Sequence, residues 1–290
     1  MMMVRLNKTR RVFRSLLSLL LVVLLGGLAA AALVRYSPGF NVDENSWNPK
    51  ISASTLAAMH AGREQQNQLP RFYAHYLWAA LHGDLGQSDS LRTPVAALLR
   101  DRAPVSLRLV GWGTAGGLLL GGALAWLAVW PRRAAPQFFA SAASGLLLAI
   151  PPAVLGLAFF FMEAPLALAV ALALLPRVFG TLRALFEDLY SSPALLAART
   201  RGVKPAVLAT RYVLGAAAPQ FIALAGVALV LAFGSIIPME ALCDVPGIGQ
   251  LAWKAAIARD LPLLSGLALI ITFVAAFVQT LGDLATGVTP

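Results

Sequence analysis

Long apolar runs, broken by short polar stretches, set the pattern of this chain. A membrane-crossing helix needs about 20 consecutive apolar residues. Six runs qualify and predict six spans, at 15–34, 106–130, 137–162, 164–186, 219–238 and 263–285. The first run is longer than the apolar core of a signal peptide, about 7–15 residues, and reads as an uncleaved anchor. Residues 36–105 break the pattern with Pro, Asn, Asp and Gln and with the amphipathic stretch "RFYAHYLWAALHGDLG". This reads as a segment outside the bilayer. The expected organisation is a tail and first span at 1–35, an extracytoplasmic segment at 36–105, and a five-helix core at 106–290 with a cytoplasmic loop at about 187–218. The expected fold class is an all-α polytopic membrane protein.

Composition agrees. The chain has 290 residues, 59% of them hydrophobic and 12% charged, with a mean hydropathy of +0.74. Soluble domains carry about 25% charge. The net charge of +10 does not mark a nucleic-acid binder, because the basic residues cluster at the ends of apolar runs, as topology signals do. With the N-terminus inside, the inner segments hold 13 of the 23 basic residues. Both termini are therefore expected on the cytoplasmic side of a membrane that the chain crosses several times.

No motif for bond-making chemistry is present. The sequence has no GxxxxGK[ST], GxSxG or HExxH, so it has no phosphate-cradling loop, nucleophile elbow or zinc helix. One cysteine, Cys243, excludes an internal disulfide. The three histidines, His60, His75 and His82, are not spaced as metal ligands. The expectation is a non-enzyme with no catalytic residue, no metal and no cofactor of its own. Ionisable groups near the spans are few: Glu163, Arg177, Glu240 and Asp283. Each falls close to a predicted span end, where Arg177 is expected to snorkel to one membrane face.

Two spans carry structural signals. Gly113, Gly117 and Gly121 in "GWGTAGGLLLGG" recur every fourth residue, so they line one helix face and admit a close neighbour. Pro151 and Pro152 in "AIPPAVLG" remove backbone donors and predict a kink or break. A broken helix in a membrane is tolerated where it is buried in protein or lines a cavity, which makes both prolines pathway candidates. Between the fourth and fifth spans, "LLAARTRGVKPAVLATRYVLGAAAP" predicts a short basic helix, a turn at Gly202 and Pro205, and a second helix.

That stretch carries a resemblance. "LAARTRG" resembles the EAA-x3-G signature of the membrane subunits of binding-protein-dependent ABC importers, with Leu196 in the acidic position. It is more similar still to the form in the dipeptide, oligopeptide and nickel permeases. Further motifs follow in the family's order over residues 70–290. They are "GDLGQS" and "TPVAALLRDRAPVSLRLV", "AIPPAVLG", "PMEALCDVPGIGQLAWKAA", "RDLPLLSG", and Gln279 with Asp283. The chain departs from the family in the short loop at Glu163 and Ala164 and in residues 36–70.

The resemblance implies a type I importer fold and a permease subunit that forms a path for a peptide or similar small solute. It implies four partners besides the lipid bilayer: a second, homologous permease, two ATPase subunits that hydrolyse ATP on their own chains, and an extracytoplasmic solute-binding protein. Ala197, Ala198 and Gly202 would form the ATPase-docking surface and its turn, with Arg199 and Arg201 at the rim. Glu240, Pro246, Gly247 and Gly249 would shape a turn on the binding-protein side. Two other readings stay open from the residues alone. An ion-coupled secondary transporter predicts inverted repeats and mid-membrane carboxylates, and neither is visible. A membrane scaffold protein explains the glycine ridge and the basic loops but not the ordered motifs.

Overall fold

In a computed structural model of the chain, the structure describes residues 2–36, 69–129 and 134–286. The described residues are almost wholly helical, with a single isolated bridge between Gln87 and Pro94 as their β-pairing. The helices are α1 (Met2–Arg35), α2 (Leu69–Leu81), α3 (Val95–Val129), α4 (Ala134–Ala149), α5 (Pro152–Phe161), α6 (Leu166–Ser191) and α7 (Pro193–Thr200). Then come α8 (Pro205–Leu242), α9 (Ile248–Ile257) and α10 (Leu261–Thr286). The segment 37–68, most of the unmatched 36–70 stretch, lies outside the described residues, as do the side chains of Gln279 and Asp283.

Four described helices are long and apolar enough to cross a membrane: Val95–Val129, Leu166–Ser191, Pro205–Leu242 and Leu261–Val278. The pair Gln137–Ala149 and Pro152–Phe161 makes a fifth if it is one span bent by 94°. The apolar helix Leu17–Leu33 is shorter. The bend falls on the two prolines. Pro151 is extended at ψ 141° and Pro152 starts α5, where a missing N–H costs nothing and the fixed φ suits a helix.

The chain divides into two compact units, one built mainly from Pro104–Gln250 and one from Leu17–Ala103 with Leu251–Ala276. In the first, α6 is the central helix, with eleven buried residues from Ala169 to Tyr190. The glycine ridge explains how α3 reaches it. A Cβ added to Gly113 would stand 2.5 Å from Val170, one on Gly117 2.9 Å from Leu174, and one on Gly121 2.8 Å from Val178. Both partners advance by four residues, so the two helices run parallel with matching ridges. A Cβ added to Gly156 of α5 would likewise stand 2.6 Å from the Met239 side chain of α8.

Two sequence boundaries move. The fourth span was expected to end at 186, but α6 continues to Ser191. Arg177 is exposed eleven residues into this helix, about 16 Å along it. The fifth span was expected to begin at Pro219, but α8 begins at Pro205. Its first part is a π-helical turn, Leu208–Leu214, in which the Gly215 N–H donates to the Thr210 carbonyl. This π-helical turn joins Pro205–Val207 to the rest of α8 within one continuous helix.

In the second unit, Tyr73 of α2 is buried with Ala31 of α1 and Leu261 of α10. Its hydroxyl donates to the Leu24 carbonyl at 2.7 Å. Gly27 admits both Tyr73 and Leu269, and Gly266 admits Tyr76 and Val95.

Candidate functional site

Three small constructions carry the residues singled out in the sequence. The first is the basic stub. Ser192 ends α6 and caps α7, its hydroxyl accepting from the Leu195 N–H and donating to the Leu189 carbonyl at 2.7 Å. Pro193 takes the first helical position. At the other end the chain closes tightly, with Gly202 N–H donating to Arg199 and Val203 N–H to Ala198. Gly202 has φ +75°, a left-handed conformation that costs glycine little.

The stub shows one face to the interior and one outward. Leu195 and Ala198 are 1% and 3% exposed and join the core formed by Phe186, Tyr190, Leu208 and Val213. Leu196, Ala197 and Arg201 are exposed. This corrects the expectation for Ala198: on a helix, residues 195 and 198 share a face, and that face is already occupied by the protein itself. Arg199 is half-buried, its guanidinium 5.4 Å above the Tyr190 ring. It therefore ties the stub to α6. Above the stub, Arg183 bridges α6 to α4. It donates to Glu187 at 2.8 Å and to Ser141, while Gln137 donates to Glu187 at 3.0 Å.

The second construction is around Glu240, which is completely buried near the end of α8. Its carboxylate accepts from Ser106 Oγ at 2.7 Å and from the Gly249 N–H at 2.6 Å. Ser106 Oγ in turn accepts from the Ile248 N–H at 2.8 Å. Free N–H groups at a helix start need partners, and a negative charge there is favourable. Glu240 thus anchors the start of α9 directly and through Ser106. The glycines are required by space. A Cβ on Gly247 would overlap the Glu240 carboxylate, and one on Gly249 would lie 2.6 Å from the Ile237 backbone. Pro246 is exposed at the outside of this turn. Asp244, with φ +50°, accepts a bond from Gln250.

The third is around Asp260, 1% exposed, at the start of α10. Its Oδ1 accepts from the Leu263 N–H at 3.0 Å, a helix cap. Its Oδ2 accepts from Ser88 Oγ at 2.5 Å, Ser90 N–H at 2.9 Å and Ser90 Oγ at 2.7 Å. The loop that brings these serines is itself folded by bonds from Gly86 to Asp84 and from Val95 to Gly86. Two motifs noted separately in the sequence, "GDLGQS" and "RDLPLLSG", are one structure. Tyr76 supports the loop, donating to the Leu85 carbonyl at 3.1 Å. Burial, with Asp84 and Asp260 nearby, pushes its phenol up, which keeps it a neutral donor.

Sequence reasoning missed the part of Ser106 and Ser88. Both lie inside quoted motifs, but the pairing of each with a carboxylate more than 130 positions away has no local signal. Pro151 is exposed and Pro152 half-buried at the α4–α5 bend. Among the described residues, no three His, Cys, Asp or Glu side chains gather as a metal set would. Glu240 and Asp260, the two buried carboxylates among the described residues, are both engaged in holding helix starts. The geometry is that of fixed mechanical joints.

Comparison with known proteins bears on what those joints serve. Residues 117–288 match the family described as "Binding-protein-dependent transport system inner membrane component". The chain is similar to the nickel import system permease protein NikB of Staphylococcus aureus strain MRSA252, 24% identical over 288 residues, covering 93% of this chain and 88% of the relative. The NikB of strain bovine RF122 / ET3-1 is 23% identical over 289 residues with the same coverage. With more than half its length matched, the chain belongs to the binding-protein-dependent transport system inner membrane components, the transmembrane permease subunits of ABC importers.

Proposed function

We propose that the α7 stub is the point at which this permease takes its driving force from a separate ATPase chain. The observation that carries this reading is the two-sidedness of α7. Leu195 and Ala198 fasten it to the core, while Leu196, Ala197 and Arg201 are presented outward. A small, rigidly seated helix transmits a push instead of absorbing it. From the stub the chain runs through the Gly202 turn directly into α8, 38 residues long, and on to Glu240 and the start of α9. ATPase closure would move the stub and bias the spans between two access states.

On this reading the N- and C-termini are cytoplasmic, ATP hydrolysis lies on two partner subunits, and the chain carries no cofactor. A second permease completes the path. The turn of Glu240, Pro246, Gly247 and Gly249 lies on the side of the solute-binding protein. The solute is a peptide or a similar small solute. Nickel is the second reading, favoured by the names of the NikB relatives.

The test is a pull-down of the tagged chain in mild detergent, wild type beside an Ala197→Glu, Gly202→Asp variant. The ATPase is expected with wild type and lost from a variant that still elutes as a folded protein. An ATPase that stays bound would refute the role of the stub. Uptake of a labelled dipeptide and of nickel by reconstituted vesicles then decides the solute.

A further inference from the structure

Helix α2 has a buried side and an exposed side, and the exposed side is not made for water. Tyr73 and Tyr76, 7% and 6% exposed, point inward. Arg71, His75 and Trp78, and His82 one residue past the helix end, follow at intervals of four, three and four on the other side, and all are exposed. With them stands Leu81. Trp78 is 66% exposed and Leu81 is 81% exposed. No acidic residue occurs in Leu69–Leu81. Such a mixture of basic, aromatic and aliphatic side chains on one helix face suits a bilayer interface.

The depth of α2 can be read from two apolar helices. On α1, Tyr73 packs against Gly27 and Ala31, and Ala32 packs against the same cluster. These residues lie three to eight positions before Arg35, the first charge after the apolar run. At 1.5 Å per residue that is about 5–12 Å from the polar end, with the Tyr73 hydroxyl at the tip of its side chain reaching deeper, to the Leu24 carbonyl. On α10, Leu261 joins the Tyr73 cluster. Gly266, five residues further, meets Tyr76, which is about 8 Å inside the helix start. Both helices place α2 at the same level. The headgroup layer is roughly 5–8 Å thick on each side of the hydrocarbon, and interfacial helices bury their apolar faces by about 5–10 Å.

We propose that α2 is an interfacial helix whose Arg71, His75, Trp78, Leu81 and His82 face lies in the phospholipid headgroup layer. Arg71 and the two imidazoles meet lipid phosphates, and Trp78 and Leu81 reach the top of the acyl chains. The ring of His82 lies 4.8 Å from that of Trp78, and its Nδ1 is 2.8 Å from the Trp78 carbonyl. This fixes the indole beside a polar partner at one end. Bound in this way, α2 holds the polar loop that follows it, with Ser88 and Ser90, at a constant height above the membrane.

The experiment uses the full chain in nanodiscs of phosphatidylethanolamine and phosphatidylglycerol. The lone, buried Cys243 is first changed to Ala. Nitroxide labels are then placed singly by His75→Cys, Trp78→Cys and Leu81→Cys, and their collisions with oxygen and with chromium oxalate are compared. Oxygen is expected to prevail at 78 and 81, at a depth near the phosphates, with a shallower value at 75. Chromium oxalate prevailing at 78 and 81 would place the face in water and overturn the proposal. Exclusion of both reagents would show a protein partner there, and a depth near the bilayer centre would show a buried helix. Each of these also overturns it. None of the outcomes bears on ATPase binding, so the role of the stub stands or falls separately.

Discussion

Ser106 and Glu240 are 134 positions apart in the chain, and the hydroxyl of the first donates to the carboxylate of the second at 2.7 Å. The same oxygen receives the Ile248 N–H. One hydroxyl thus links three elements: α3, the end of α8 and the start of α9. Glu240 is fully buried, so its carboxylate must be met by donors or its burial would be unfavourable.

Removing that carboxylate leaves Ser106 and the Gly249 N–H without their partner in a buried place. Each such loss costs about 1–3 kcal/mol. Glu240→Ala is therefore expected to destabilise the protein by about 3 kcal/mol, and Glu240→Gln by less, since an amide oxygen still accepts. Thermal unfolding in detergent, followed by size-exclusion chromatography, measures both. Equal midpoints for Glu240→Ala and wild type would refute the role of Glu240 as an anchor.

The ridge of α3 against α6 gives a prediction with its own rescue. A methyl at Gly121 would stand 2.8 Å from both the Cβ and the Cγ1 of Val178, and Val178→Ala removes the second of these. Overpacking of this kind costs about 1–3 kcal/mol. Gly121→Ala should lower the unfolding midpoint, and Val178→Ala in the same chain should restore part of the loss. A double-mutant cycle measures the coupling, expected at about 0.5 kcal/mol or more. Strict additivity would mean that the two helices do not meet there.

Much of this architecture is legible in the sequence because a membrane simplifies the code. Apolar runs give the four helices that are long and apolar enough to cross a membrane, though the runs at 15–34 and 137–162 become a shorter helix and a pair bent by 94°. The ridge of Gly113, Gly117 and Gly121 announces a close neighbour. The partner of that ridge is not announced, because Val170, Leu174 and Val178 look like any other apolar residues. The start of α8 was hidden for another reason. Pro219 removes one backbone donor, and a sequence does not show that the helix nevertheless runs through it from Pro205, by way of a π-helical turn at Leu208–Leu214. Ala198 shows the limit at the site itself. A motif gives the helix and its turn, but which alanine faces inward depends on the core beneath, here Phe186, Tyr190 and Val213.

Asp260 offers a test in the second unit. It holds the Ser88–Ser90 loop through three bonds to one oxygen. Asp260→Ala should free the loop and expose the bond after Arg92 to trypsin. A loss of about 1.4 kcal/mol in local stability raises the open population about tenfold. Limited proteolysis should therefore proceed at least about tenfold faster in Asp260→Ala, with Asp260→Asn in between. Unchanged cleavage would show that the loop is held by something other than Asp260.

Two neighbouring alanines separate folding from docking. Ala198 is 3% exposed and sits in the core, so Ala198→Glu buries a charge without a partner, which costs several kcal/mol or distorts the stub. Ala197 is exposed, and Ala197→Glu leaves the fold as it is. If the outward face docks on an ATPase, Ala197→Glu should remove ATPase co-purification while leaving the thermal midpoint within about 0.5 kcal/mol of wild type, as for surface changes away from special features. Ala198→Glu should lower that midpoint strongly and lose the ATPase only as a consequence. Loss of the ATPase from Ala198→Glu at an unchanged midpoint, with Ala197→Glu still bound, would reverse the faces assigned to this helix.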